Sequence, residues 1–196
     1  MEISAKRAAQ LLRAARLSQS IPQAELARRA GTAQPDLSLI ERGRRTPTVD
    51  TLERILRSAG HQLIAAPVLG LSGVEAAAEI ASSIEGADGE RAFRVFLSYS
   101  DALKAADATG RVVLTAAEPA TIGDPKWDAA VAGLSAYWLE RGRLPIPGWL
   151  ARGDRRLPEA TPLDLGPYVG APDPDRVPTA FLERNVLLDE STLASV

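Results

Sequence analysis

The stretch from residue 23 to residue 43, QAELARRAGTAQPDLSLIERG, constrains the fold of this chain more than any other part of the sequence. One apolar run, centred on Leu26, precedes Gly31, and a second run with Leu37 and Ile40 follows it at helical spacing. Glycine at such a junction allows the positive φ angle that commonly ends a helix. The pattern therefore predicts two short helices joined by a tight turn.

Basic residues follow the second of these predicted helices. Arg42, Arg44 and Arg45 stand just after Ile40 and Glu41. A short helix, a tight turn and a second helix form the helix-turn-helix, whose second helix lies in the major groove of DNA. Arginines at the end of that helix would lie near phosphates, so these residues predict DNA binding. The alternative is a helical domain whose surface arginines bind another protein.

Charge is distributed unevenly along the chain. Residues 1–60 carry 11 basic and 6 acidic side chains, a net charge of +5, whereas the remaining 136 residues carry 12 basic and 19 acidic side chains, a net charge of −7. The net charge of −2 for the whole chain conceals this difference. A basic N-terminal part on an acidic remainder predicts a small DNA-binding domain joined to a part with another role.

Helical spacing recurs through most of the chain and predicts a mainly α fold. We expect Thr48, Ser72 and Asp124 to cap helices at their N-termini, since each has a side-chain oxygen that can accept from the first backbone N–H groups. A short last turn is expected over 189–195. The predicted helices cover about 4–17, 22–30, 34–43, 48–60, 73–84, 90–107, 124–141 and 178–184.

Three segments between the predicted helices have a different character. Residues 61–69 are apolar and predict either a strand or an extended linker, whereas residues 110–119 favour no one structure. Residues 143–178 hold many prolines and glycines without a helical period, so we expect loops there. These loops should be ordered, because several large side chains in them can be buried: Trp149, Leu163, Leu165 and Tyr168.

These patterns predict two domains. Residues 1–62 are expected to form a DNA-binding domain of four or five helices, followed by a linker over residues 63–71. Residues 72–196 are expected to form a mostly helical domain with long ordered loops and one or two short strands, which would bind a partner or an effector.

The N-terminal pattern resembles the Cro/C1-type (Xre-like) helix-turn-helix family, which includes phage repressors. The resemblance covers roughly residues 6–60, and the segment PTVDTLERIL is similar to the usual fourth helix of that family. It implies a lambda-repressor-like fold for the N-terminal domain. The residues that carry it are Gln23, Glu25, Leu26, Ala27, Gly31, Gln34, Ile40, Glu41 and Gly43.

The resemblance also implies which residues contact double-stranded DNA. Gln23 would bind a phosphate at the start of the second helix, and Gln34 would open the recognition helix, where an amide can bond both N6 and N7 of adenine. Leu39 is apolar at a position that is often polar in relatives, so it either touches a thymine methyl group or is inert. The basic and hydroxyl side chains nearby would bind bases or phosphates. The full expected set is Gln23, Thr32, Gln34, Ser38, Leu39, Arg42, Arg44, Arg45 and Thr46.

Two further features of this domain are an expected ion pair and a departure from the family pattern. In phage-repressor members the positions of Arg16 and Glu41 form an ion pair between the first and third helices, so the resemblance implies the same structural pair here. The sequence departs from many relatives at Pro35 and Asp36, where polar or small base-contacting residues are common. Pro35 has no backbone donor, and Asp36 repels phosphate unless it caps the helix or accepts from cytosine N4.

The acidic remainder has a looser resemblance, to actinobacterial Xre-family regulators with a second domain. Three segments carry it: DPKWDAAVAGL, PGW at 147–149, and FLERNVLLDESTL. Many such regulators resemble antitoxins of toxin–antitoxin pairs, so the resemblance implies a toxin protein as a partner. Since one recognition helix contacts few base pairs, a homodimer on a palindromic operator is expected.

Two interpretations of the second domain stay open. A broad exposed apolar-aromatic surface would favour a toxin partner, whereas a pocket lined by polar groups would favour a regulator that senses a small molecule. Trp127 and Trp138 lie on an apolar helix face and are expected in the core. Trp149 and Tyr168 fit either the core or a partner surface.

Composition argues against other classes of function. The chain has one histidine and no cysteine, too few ligands for a zinc site, and a catalytic triad could use only His61. It contains no glycine-rich phosphate-binding motif, so we expect neither an enzyme nor a bound metal or cofactor. No apolar run reaches the roughly 18 residues of a membrane helix, and no signal peptide is recognisable, which favours a cytoplasmic protein.

Overall fold

A computed structural model describes residues 2–63, 70–163 and 172–193, with side chains from Arg7 onward. The chain divides into two compact units, Met1–Ala65 and Ala66–Val196. Within the described residues both units are built from helices, so the predicted mainly α fold is confirmed. No helix in this part of the chain is both long and apolar enough to span a membrane.

In its described residues the first unit consists of four helices around one apolar core. The predicted cap at Thr48 is confirmed, since its Oγ1 accepts from the backbone N–H of Thr51 at 3.2 Å. The helices are α1 (Glu2–Ser18), α2 (Gln23–Arg29), α3 (Gln34–Glu41) and α4 (Val49–Ser58). The buried core consists of Leu12, Ala15, Ile21, Leu26, Ala27, Ala30, Leu37, Ile40, Ile55, Leu56 and Ala59.

A glycine with positive φ follows the end of α2, and the same happens after α3. Gly31 has φ 60°, and the next residue, Thr32, donates its backbone N–H to the carbonyl of Ala27 at 3.0 Å. Gly43 has φ 68°, with the equivalent bond from Arg44 to Leu39 at 2.9 Å. These bonds satisfy carbonyls that the helix itself leaves open. They fix where the chain leaves each helix and so set the turn between α2 and α3.

The second unit contains six helices and two very short parallel strands in its described residues. The strands pair Thr161 with Val186 and Pro162 with Leu187. The elements are α5 (Gly73–Glu85), α6 (Gly89–Ala105), α7 (Ala108–Ala116), α8 (Pro125–Arg141), α9 (Gly148–Ala151), α10 (Thr179–Leu182), β1 (Thr161–Pro162), β2 (Val186–Leu187) and two 3-10 turns (Pro174–Arg176, Glu190–Leu193).

Helix α8 lies at the centre of this unit and is buried on nearly all sides. Its small residues let neighbouring elements approach closely, as at Gly133, which packs against the ring of Phe181. The few polar groups in the interior are paired. The Tyr99 hydroxyl lies 2.8 Å from Oγ of Ser135, and burial raises the pKa of that tyrosine. The buried residues of α8 are Trp127, Ala129, Ala130, Val131, Ala132, Gly133, Leu134, Ser135, Ala136, Trp138 and Leu139.

All three tryptophans belong to the core of the second unit. Trp127 and Trp138 are 5% and 8% exposed, which confirms the expectation for that helix face. Trp149, for which the sequence left two interpretations open, is 4% exposed and donates its indole N–H to the carbonyl of Thr115 at 2.9 Å. The predicted burial of Leu163 is confirmed as well.

Several other predictions for this unit have outcomes in the structure. The cap at Ser72 is confirmed as a capping box with Glu75, and Asp124 accepts from the N–H of Lys126 at 2.8 Å. The unassigned segment after residue 110 belongs to α7. This helix begins early because Asp107 caps it, accepting from the N–H of Gly110 at 2.7 Å. The predicted contributions of Leu165 and Tyr168, and most of the linker, lie outside the described residues.

The long loop region over 143–178 is less irregular than its composition suggests. It contains α9 and β1, each only a few residues long. Elements of two to four residues have no hydrophobic period, and so the sequence predicted loops throughout. The short parallel pairing depends on the distant strand β2, which local spacing could not reveal.

We predict that Gly133→Ala destabilises the second unit, although alanine is the better helix former by about 1 kcal/mol. An added Cβ would lie 2.7 Å from Cδ1 of Phe181, whose side chain is fully buried. The net loss in free energy of unfolding should be about 1–3 kcal/mol. Urea unfolding followed by tryptophan fluorescence measures it, because all three tryptophans are in this unit.

The matched control is Gly89→Ala, near the start of α6, where an added Cβ meets no atom within 4 Å. This substitution should leave stability unchanged or raise it. If Gly133→Ala proved as stable as Gly89→Ala, the close packing of α8 against Phe181 would not hold.

Candidate DNA-binding interface

Helices α2 and α3 bring two predicted DNA-contacting glutamines together. Gln23 is the first residue of α2, and Gln34 is the first residue of α3. The side-chain Nε2 of Gln34 donates to Oε1 of Gln23 at 3.3 Å, and Nε2 of Gln23 donates to Oε2 of Glu41 at 2.7 Å. The amide that opens α3 is therefore connected, through Gln23, to a carboxylate at the other end of that helix.

Glu41 and Arg16 form a two-pronged ion pair between α3 and α1. Arg16 Nε lies 2.7 Å from Oε1 of Glu41, and Arg16 Nη2 donates to Oε2 at 2.9 Å. The third nitrogen of the guanidinium, Nη1, donates to the carbonyl of Ile21 at 3.1 Å. Both side chains are largely buried, with 13% of Arg16 and 4% of Glu41 exposed. Bonds of this charge-assisted, bidentate kind are among the stronger polar contacts in proteins.

Most of the residues expected to contact DNA are accessible at the surface of the first unit. Gln34, Arg42, Arg44, Arg45 and Thr46 are exposed, Gln23 and Thr32 are partly exposed, and Leu39 is 38% exposed. Ser38 differs from the rest of the set, because only 8% of it is exposed. It therefore offers the least surface to a ligand among these nine residues.

The three arginines after α3 have different surroundings. Arg45 is paired with Asp36 on the first turn of α3, with Nη1 2.5 Å from Oδ1. Within the part of the chain that the structure describes, Arg42 and Arg44 have no carboxylate within ion-pair distance. The guanidinium groups of Arg42 and Arg44 are thus available to external anions, whereas that of Arg45 already pairs with Asp36.

Sequence reasoning missed the contribution of Arg54 to this surface. From α4 its Nη1 donates to the carbonyls of Ala30 and Gly31, at 2.5 and 3.3 Å. These are carbonyls at the C-terminal end of α2 and in the turn, so Arg54 helps to hold the turn in place. No local signal in the sequence indicates a contact between residues 23 or 24 positions apart.

The outer face of α2 carries a second group of charges. Glu25 accepts hydrogen bonds from both Arg28 and Arg29, and these bonds lower the pKa of its carboxyl to about 2. The three side chains are at the surface, so the pairing contributes little to stability. It reduces the positive charge that α2 presents to solvent.

Comparison with known proteins identifies part of this unit. A family model described as "Helix-turn-helix" matches residues 12–60, which include all of α2, α3 and α4. No curated protein and no solved structure has a significant match to the chain.

We predict that Glu41→Gln lowers the free energy of unfolding of the first unit by about 3–5 kcal/mol, because it leaves the buried charge of Arg16 without its partner. Amide hydrogen exchange of residues in α1 to α4 is the suitable measurement, since the first unit contains no tryptophan.

Glu53→Gln is the matched control within the same unit. It removes an exposed ion pair with Arg57, whose side chain is 64% accessible, and should cost less than about 1 kcal/mol. If the two variants lost equal free energy of unfolding, the Glu41 carboxylate would have no special role in holding α1, α2 and α3 together.

Proposed function

We propose that the protein is a sequence-specific transcriptional repressor. Residues 12–60 match a helix-turn-helix family, and the helix-turn-helix is a DNA-binding motif. The protein binds a palindromic operator as a homodimer and represses its own operon. The observation that supports this best is the accessible Gln34 amide, held by Gln23 and ultimately by the buried Glu41. A fixed amide at the start of the recognition helix is suited to pairing with a base edge.

The proposed contacts divide into those with bases and those with phosphates. Gln34 bonds adenine through its amide, and Leu39 packs on a thymine methyl group. Gln23 binds a phosphate together with backbone N–H groups at the start of α2. Arg42 and Arg44, with Thr32 and Thr46 on either side, bind further phosphates. Ser38 contributes little, because it is nearly buried.

The homodimer follows from the size of a single recognition surface. Helix α3 is only eight residues long, so one copy contacts few base pairs. Two copies related by a twofold axis would contact two half-sites, and this relation requires a palindromic operator. A regulator that acts on chromosomal DNA in this way is expected in the bacterial cytoplasm.

For the second unit we propose an antitoxin role, in which it binds a toxin encoded in the same operon. The net charge of −7 over residues 61–196 supports this, because an acidic surface attracts a basic partner and speeds the encounter. The tryptophans give no support, since all three are buried. The partner surface would therefore be mainly polar and acidic within the described residues.

A specific observation favours a second candidate, in which this unit senses a small molecule. A cleft of about 280 Å³ lies among α8, α9 and the end of α10, and its polar lining includes Glu140, Arg156, Glu183 and Arg184. Burial and the neighbouring Glu183 raise the pKa of Glu140, and burial lowers the pKa of Arg184. Charged groups of both signs in one cleft suit a small ligand that itself carries both charges.

We predict different effects for Gln34→Ala and Arg44→Ala on operator binding, measured by fluorescence anisotropy over a series of KCl concentrations. Gln34→Ala should cost about 1–3 kcal/mol on the operator and relax the preference for one base pair. Arg44→Ala should weaken binding to every sequence and reduce the dependence of log K on log salt by about 0.9.

Each variant is the control for the other. If Gln34→Ala weakened binding to all duplexes equally, its contact would be with the backbone and not with a base. An unchanged salt dependence for Arg44→Ala would remove that residue from the phosphate contacts.

The antitoxin proposal predicts that a small gene beside this one on the same strand encodes a toxic protein. Expression of the neighbour alone should stop growth, co-expression with this chain should restore it, and the two proteins should purify as a complex. Absence of growth arrest, or of rescue, would refute the antitoxin role. Release of the operator by the low-molecular-weight fraction of a cell extract, without any protein partner, would favour the sensor instead.

A further inference from the structure

The surface expected to face DNA contains an internal ion pair. Asp36, in the first turn of α3, binds Arg45 in the segment that follows the same helix. Both side chains remain accessible, with 56% of Arg45 and 45% of Asp36 exposed. The pair therefore lies at the surface, where DNA phosphates could compete for the guanidinium.

The Asp36 carboxylate binds the guanidinium of Arg45 in the way that a DNA phosphate would. Both groups are anions that accept charge-assisted hydrogen bonds from a guanidinium. A DNA phosphate has to compete with Asp36 for the guanidinium of Arg45, and an exposed pair of this kind reduces the competing interaction by about two- to fivefold. Arg42 and Arg44 have no equivalent carboxylate in the described residues, so they can bind phosphate without such a loss.

We infer that Asp36 is a specificity-determining residue that withholds Arg45 from the phosphates of non-operator DNA. This inference rests on the proposed DNA binding. In a non-specific complex phosphates are the main attraction, and nothing replaces Arg45 as the partner of Asp36. In the operator complex α3 lies in the groove, where the carboxylate can accept from the N4 amino group of cytosine and release Arg45 to the backbone.

The test uses the full-length chain with a double-mutant cycle of Asp36→Asn and Arg45→Ala. Binding is measured by fluorescence anisotropy to a duplex selected from random sequences and to a duplex of unrelated sequence, over a series of KCl concentrations. Asp36→Asn should bind the unrelated duplex about two- to fivefold more tightly. The slope of log K against log salt concentration for that duplex should steepen by about 0.9, which is the contribution of one added phosphate contact.

Two comparisons separate this effect from a simple loss of negative charge. In the Arg45→Ala background, Asp36→Asn should tighten binding to the unrelated duplex by no more than a control substitution does. The control is Asp50→Asn, which removes an equal charge from the exposed first turn of α4. On the selected duplex Asp36→Asn should give a smaller gain than on the unrelated one, so that the ratio of the two affinities falls.

Several results would overturn the inference. One is an equal gain from Asp36→Asn with and without Arg45, and another is an equal gain from Asp50→Asn. An unchanged affinity ratio between the two duplexes would also contradict it. Failure of the wild-type chain and of every variant to bind either duplex would instead refute the proposed DNA binding itself.

Discussion

The carboxylate of Glu41 is the contact on which the geometry of the first unit depends. It receives N–H donors from Arg16 on α1 and from Gln23 on α2, while it belongs to α3 itself. A carboxylate that is only 4% exposed is costly unless it is paired, so the three helices are held in the one arrangement that satisfies it. The amide oxygen of Gln23 then accepts from Gln34. The direction of the Gln34 amide at the start of α3 is thus set by the buried ion pair between Arg16 and Glu41.

The second unit is organised around a different constraint, the near-complete burial of α8. A helix that is buried on nearly all sides needs neighbours around most of its circumference, and the surrounding helices supply them together with α10 and β2. The tryptophans satisfy this packing requirement. Trp138 and Trp149 also donate their indole N–H groups inside the unit, to Oγ of Ser100 at 3.2 Å and to the carbonyl of Thr115 at 2.9 Å. The three tryptophans, which could have served a protein interface, are therefore committed to the core. The recognition that we propose for this unit would use its charged surface or the cleft beside Arg184.

Much of the first unit could be predicted from the sequence, because its signals are local. Gly31 ends α2, Thr48 caps α4, and apolar residues at helical spacing face the core, each within a few residues of its partners. The contacts that sequence reasoning did not find join distant positions. Arg54 binds a carbonyl 24 residues away, and Asp36 meets Arg45 across nine residues. In the second unit, α7 was missed although Asp107 is an ordinary cap, because Gly110 and the following β-branched residues weaken the helical signal.

We propose that α3 and the residues on either side of it bind base edges and phosphates of duplex DNA. The decisive measurement is amide hydrogen exchange of the full-length chain with and without a selected duplex. Exchange should slow at the start of α2, along α3 and through residues 42–46, with no comparable change in α5 or α6. Slower exchange confined to the second unit, or no difference at low salt, would contradict it.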